Sequence, residues 1–480
     1  MPRSILFLLF ITSPILAQTP SEEATANYLE SIRDQEAYLR QFFQYMPKGG
    51  DLHHHFSGSV YAETFFEIAE QDSLWVNMET GMVSGAYPSR GGSTQPRYSV
   101  QDLIATGKWQ KARVQLLMDW SNQYFDPSWG PSDEQFFNAF GKFGAAADAD
   151  RAKGLLKLKE RAKNENVQYI EEMLTGVRTP SLGFEKGKNE VFWRLQGDKQ
   201  ASELERVLED TYWEYMRDTT YTNAINKYVS YIESLHKALV LDDQEFKMRF
   251  QTYGSRNSEP IKVFARLLAS FQAAQQSDLI VGVNFVSPEH YLVSMRDYWL
   301  HMQMFNFLKS MYKDVPLTLH AGELTVGLVR PEDLSWHIDA AVNVAGAQRI
   351  GHGIDIAYER NSNALLAQMA NEEVAVEINL TSNDFILGVS GSEHPLTMYH
   401  RAGVPLVICT DDAGILRTDL TQQFVILARD YPELSYADIK QFVYNSIRYS
   451  FMSQRGKKEG IEWLDARFKA FELEVAGWKY

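Results

Sequence analysis

Cysteine is almost absent. Cys409 is the only one in 480 residues, so no intrachain disulfide can form and stability has to come from a packed core. Positive charge is scarce: 47 Lys and Arg against 62 Asp and Glu leave a formal charge of −15. That excludes a phosphate-tracking nucleic-acid binder, which needs a basic face. Long apolar runs are missing too, and past the first residues none reaches 18, so no membrane span is expected in the mature chain. Short-period repeats are lacking. The one compositionally biased tract, 83–99, is rich in Gly, Ser and Pro and predicts a mobile loop. What remains, 45% hydrophobic and 23% charged, is an ordinary globular balance.

The first residues read as a targeting leader. Arg3 gives a positive start, Ile5 to Ile11 is a short apolar run, and Ala17 offers a small residue for cleavage before Gln18. A leader over 1–17 implies a periplasmic or secreted protein. A helical extension follows over 18–46, with Thr19 as cap, Pro20 in the first turn and Glu22 completing a capping box. Tyr28, Leu29, Ile32, Leu39, Phe42 and Phe43 recur at helical spacing. Their stripe must be covered, either by the body of the protein, the expected partner, or by a second subunit, which keeps a homodimer open.

Pro47-Lys48-Gly49-Gly50 breaks that helix, and strand patterns then arrive at 51–56, 167–173, 247–253, 279–285, 315–319, 348–351, 375–378 and 405–409, with helical patterns between them. Alternating strand and helix implies a parallel sheet, and eight units predict a closed (β/α)8 barrel over 47–480. A helical insertion is expected at roughly 70–165, after the first strand.

Four of these strands end in ionisable residues. His53-His54-His55 closes the first; alternation turns His53 and His55 to one face and His54 to the other. Two imidazoles on one face can grip a divalent metal, zinc above all, though a His pair is equally often plain polar surface. His320-Ala321-Gly322-Glu323 closes a second strand, where barrel active sites lie; the bland reading of Glu323 is a helix-start carboxylate. His352 stands between Gly351 and Gly353, and alone would read as a core histidine. Asp411 and Asp412 end the last strand, where an Asp pair commonly caps a turn. Their joint occurrence at strand ends favours a site.

In this order the motifs resemble the adenosine deaminase family: Pro47-Lys48, Asp51 to His55, His320 to Glu323, Gly351-His352-Gly353, Leu380-Thr381-Ser382-Asn383 and Thr410-Asp411-Asp412. The leader, the N-terminal extension and the long segment between His55 and His320 are similar to the secreted, growth-factor-related branch. The resemblance implies one zinc per chain held by His53, His55, His320 and Asp411, with a water acidified by the metal as nucleophile. It further implies that His352 takes the water's proton and steadies the attacking oxygen, that protonated Glu323 donates to ring N1, and that Asp412 bonds N7. Adenosine, and with it 2′-deoxyadenosine, would yield inosine or its deoxy form and ammonia. Two positions depart from the family pattern: Ser57 stands where an Asp meets the ribose, and Ser287 where a Gly meets the purine. Phe137, Phe140 and Phe143 could wall the purine or belong to the core. No Lys/Arg cluster lies near the motifs to hold the phosphate of AMP. The alternatives are a deaminase of another aminopurine, or a catalytically silent nucleoside-binding or signalling protein on the same fold.

Overall fold

The computed structural model describes residues 19–85 and 97–478. The expected leader at 1–17 and the centre of the expected loop, 86–96, lie outside the described residues. Eight parallel strands organise the chain: β1 (Gly49–His55), β2 (Val167–Met173), β3 (Lys247–Ser255), β4 (Ile280–Val286), β5 (Thr318–Ala321), β6 (Arg349–His352), β7 (Ala375–Ile378) and β8 (Leu406–Ile408). They pair in sequence order as β1-β2-β3-β4 and β5-β6-β7-β8. Two seams close the ring. Val283 donates its N–H to Pro316 O at 3.0 Å between β4 and β5, and Asp411 donates to His53 O at 2.9 Å between β8 and β1. The predicted (β/α)8 barrel is therefore the observed fold. β2 is buried at all seven positions, as a parallel strand covered on both faces must be.

Two helices precede the barrel, α1 (Pro20–Ile32) and α2 (Glu36–Tyr45). Thr19 Oγ1 accepts from Glu22 N at 3.2 Å, as its capping position predicts. The apolar stripe turns onto the body. Leu29, Ile32, Leu39, Phe42 and Phe43 are fully buried, Phe42 meets Phe471 edge-on at 5.1 Å, and Phe43 stacks on Phe424 at 5.9 Å. Arg40 clamps Asp419 with two 2.6 Å bonds, tying α2 to the segment that follows the Asp pair.

Between β1 and β2 the chain builds more than helices. Trp75–Asn77 pairs antiparallel with Val83–Ser84 and with Arg97–Ser99. Both ends of the tract expected to be a loop are thus short strands, with Val83 burying its side chain at one end, which a reading weighted by Gly and Pro overlooks. The following helix α3 (Ser132–Ala149) carries aromatic side chains to the C-terminal face of the barrel. Among the described residues no helix is long and apolar enough to cross a membrane.

Candidate active site

His53 and His55 sit at the end of β1, His320 in β5, His352 at the end of β6, and Asp411 and Asp412 just past β8. All open on the C-terminal face, where strand ends and loops can converge on one point. The Nε2 atoms of His53, His55 and His320 lie 3.0 to 3.3 Å from one another. Asp411 Oδ1 stands 3.4 Å from His53 Nε2 and 3.2 Å from His55 Nε2. His54 points the other way, as strand alternation requires, and bonds Glu172 at 2.8 Å.

The donor chemistry fits a divalent cation. His53 Nδ1 donates to Glu377 Oε2 at 2.7 Å, and His320 Nδ1 donates to Asn284 Oδ1 at 2.9 Å. Oxygen acceptors hold the imidazole protons on Nδ1, so the Nε2 lone pairs of both rings converge beside the Asp411 carboxylate. Lone pairs and a carboxylate this close repel one another unless a cation lies among them.

Glu377 in β7 and Asn284 in β4 are functional residues that the motif reading missed. Glu377 Oε1 also accepts from Thr318 Oγ1 at 2.7 Å and Arg349 Nε at 2.6 Å, and Arg349 bonds Glu171 at 2.6 Å. Burial alone would raise its pKa; Arg349, His53 and Thr318 outweigh that and bring it down to about 2.

Glu323, 6% exposed, overhangs the cluster. Burial, and after it the charges of Asp411 and Glu289, push its carboxyl well above the usual range, so it carries a proton to donate. Its backbone is anchored by Glu289, which accepts from Gly322 N at 3.2 Å and Glu323 N at 3.1 Å. Burial opposes the charge on Glu289, but Arg256 and a 2.6 Å bond to His337 hold its pKa down at about 2. His352 lies with Nδ1 3.6 Å from Glu323 Oε1 and Nε2 4.0 Å from Asp411 Oδ2. Burial lowers its pKa to about 3, so the ring is neutral. Burial and the Asp411 charge raise Asp412, whose Oδ1 has no hydrogen-bond partner. Backbone strain concentrates here: Ser287, His352 and Asp411 hold φ of +86°, +68° and +61°.

A cavity of about 480 Å³ opens over these groups. Its walls include Ser57, Ser287, Met173 and Tyr253, with Phe136, Phe137 and Phe140 from α3 and Tyr291 edge-on to Phe137. Phe143 belongs elsewhere: it stacks on Phe65 at 5.0 Å inside the core, while Phe136, one residue before the stripe, takes the place on the wall. Ser287 Oγ pairs with Ser255 Oγ at 2.7 Å. Ser287 nevertheless keeps a left-handed backbone of the kind glycine adopts freely. Among the described residues no lysine or arginine lines the cavity.

The site's likenesses point one way. The adenosine deaminase family model matches residues 239–467, which hold six of the eight strands, β3 to β8, and with them all of the cluster except His53 and His55. An adenosine deaminase of Enterococcus faecalis is 36% identical over 146 residues, 30% of this chain, so the match spans 39% of that relative's length. Among solved structures, an N6-methyl-AMP deaminase from Arabidopsis thaliana aligns over 89% of this chain and 98% of its own, at TM-score 0.56 and 18% identity. An amidohydrolase from Burkholderia ambifaria with bound zinc aligns over 91% and 94%, at TM-score 0.53 and 17% identity. These two share the fold. With the motif order and the barrel agreeing, the chain is similar to the adenosine deaminase family through its residues 239–467.

Proposed function

We propose that this protein is a zinc-dependent deaminase of aminopurine nucleosides, with adenosine as its leading substrate and 2′-deoxyadenosine beside it. The observation that carries the reading is the convergence of His53, His55, His320 and Asp411 with Glu323 and His352 in the lining of one aromatic cavity. Zinc held by that tetrad supplies Lewis acidity and a water acidified towards neutral pH. Glu323 donates its proton to ring N1 and draws electron density from C6, where the exocyclic amino group leaves. Asp412, neutral in this setting, donates to N7 and fixes the ring's orientation. Phe136, Phe137 and Phe140 cover the purine and keep bulk water from the reacting carbon. Ser57 supplies the ribose with one uncharged hydrogen bond. The absence of a cation in the described walls favours a nucleoside over a monophosphate such as the one acted on by the Arabidopsis neighbour. We read the residues before Gln18 as an export leader, which puts the reaction in the periplasm or outside the cell.

Two roles are open to His352, proton acceptor and hydrogen-bond donor, and they need opposite tautomers. The test of the overall reading is ultraviolet absorbance of adenosine, 2′-deoxyadenosine, adenine and AMP with zinc-loaded protein, beside Glu323→Ala. Conversion of the two nucleosides by wild type alone is expected. Zinc bound with all four compounds unchanged would overturn the reading in favour of a silent nucleoside-binding protein.

A further inference from the structure

A neutral imidazole carries one proton, and its position decides whether His352 donates towards the metal-ligand cluster or can only accept there. A buried chain of hydrogen bonds fixes that position. It begins away from the site, where the backbone N–H of Leu396 donates to His394 Nδ1 at 3.1 Å. A nitrogen that accepts carries no proton, so the proton of His394 is on Nε2. That N–H donates to Asn383 Oδ1, also at 3.1 Å. The orientation of the Asn383 amide follows: its Nδ2 is the end that faces His352 Nδ1, at 3.0 Å, and an amide nitrogen only donates. Asn379 Nδ2 approaches the same ring nitrogen at 3.4 Å. A proton on His352 Nδ1 would therefore point at the N–H donor of Asn383, while the carboxyl oxygen on that side, Glu323 Oε1, stands 3.6 Å away, outside hydrogen-bond distance.

We infer that the relay Leu396–His394–Asn383 locks His352 in its Nε2–H tautomer, which makes His352 a hydrogen-bond donor on the side of Asp411 and the metal ligands, and makes Asn383 and His394 positioning residues. Where the attacking oxygen comes in, the inference rests on the deaminase reading; the tautomer itself does not. The backbone cooperates. Gly351 and Gly353 flank a His352 held at φ +68°, a strained turn in which the ring depends on its hydrogen bonds for orientation. Nε2 stands 4.0 Å from Asp411 Oδ2, the oxygen that Ser382 Oγ also approaches, at 2.7 Å. A donor there steadies negative charge on an oxygen arriving between the metal ligands and the purine. A lone pair there would repel it.

The test is a long-range 1H–15N correlation spectrum of zinc-loaded protein labelled at histidine nitrogen, with the His352 signals assigned by their loss in His352→Gln. Protonated Nε2 and bare Nδ1 are expected. Asn383→Asp keeps the acceptor for His394 but places a carboxylate against His352 Nδ1, so the proton should move to Nδ1. With the donor lost, kcat on adenosine should fall about 10²–10³-fold, while zinc content stays at one and KM moves by no more than about threefold. His394→Gln can still donate to Asn383 and should retain most of kcat; His394→Leu frees the amide to turn and should lose about tenfold or more. Wild-type protein protonated at Nδ1 would overturn the inference, whatever its turnover. So would an Asn383→Asp spectrum like that of wild type, or a kcat loss that follows loss of zinc in equal measure.

Discussion

Replacing Glu377 with glutamine separates the charge behind the metal ligands from their shape. The amide is nearly isosteric and can still accept from His53 Nδ1 across the 2.7 Å gap, so the ring keeps its tautomer and direction. What disappears is the negative charge that makes His53 a better donor to a cation. Losing such a partner lowers metal affinity by about 10–100-fold. Because the hydrogen bond survives, the lower end is expected, about tenfold or 1.4 kcal/mol. The same carboxylate faces Arg349 Nε at 2.6 Å in the fully buried floor of the barrel. Removing one partner of a buried ion pair costs about 3–5 kcal/mol of stability. Glu171 still holds Arg349 at 2.6 Å, and Phe451 still stacks under the guanidinium at 3.8 Å, which again points to the lower end, about 3 kcal/mol. Competition with a chromogenic chelator measures the first quantity, and urea unfolding of the metal-free proteins the second. Zinc affinity within twofold of wild type would refute the argument that charge behind His53 tunes the site. An unchanged urea midpoint would refute the reading of Arg349–Glu377 as a pair that the fold depends on.

Other perturbations read neighbouring parts of the site. Glu289→Gln weakens the double acceptor that anchors Gly322 N and Glu323 N, and should lower kcat about 10²-fold with zinc retained, checked by turnover beside metal analysis. Gly58→Ala would drive a methyl carbon into Asp412 Oδ1; the carboxyl must swing away, and kcat/KM for adenosine should drop about 10²-fold, while urea unfolding shows whether the fold survives. Ser287→Gly relieves a left-handed backbone worth about 1–2 kcal/mol but loses the bond to Ser255, worth about 1 kcal/mol, so a midpoint in urea equal to or slightly above wild type is expected. Glu359, raised to about 7 chiefly by burial, stabilises the fold fully below its unfolded pKa of about 4.5 and loses that contribution as pH rises through 7. Glu359→Gln keeps the acceptor for Ile338 N and Asp339 N without the charge, so its melting temperature relative to wild type should climb from pH 5 to pH 8.

The parts of this molecule legible in its sequence are those whose signal is local. Strands β2 and β7 fall at the residues expected, because a short apolar run bounded by turns carries its own boundaries. The metal-ligand candidates were visible for the same reason, as ionisable residues at the ends of such runs. A helical stripe is local as well, but its reach is not. Phe143 shares a face with Phe136 and Phe140, yet it sits seven residues, about 10 Å, further along the axis than Phe136. It has passed beyond the cavity and meets Phe65 and Trp120 instead.

The supporting residues illustrate what local reading leaves out. Glu377 is an unremarked carboxylate inside an apolar strand, and only barrel closure brings it to His53, 324 residues away in the chain. Asn284 and Glu289 lie within three residues of Ser287, and Asn383 stood within a motif, but nothing in spacing says that Asn284 faces His320, that Glu289 carries the Glu323 turn, or that Asn383 faces His352. These contacts decide more than geometry. The ligands require deprotonated Nε2 atoms on His53 and His320, and the structure meets that by giving their Nδ1 protons to oxygen acceptors, a carboxylate and an amide carbonyl. At His352 the neighbour is an amide nitrogen, and the proton is forced to the opposite side. The same residue type thus serves as cation ligand or as hydrogen-bond donor within one cluster. The difference lies in whether an oxygen or a nitrogen stands behind the ring, which the order of residues along the chain does not display and the closed barrel does.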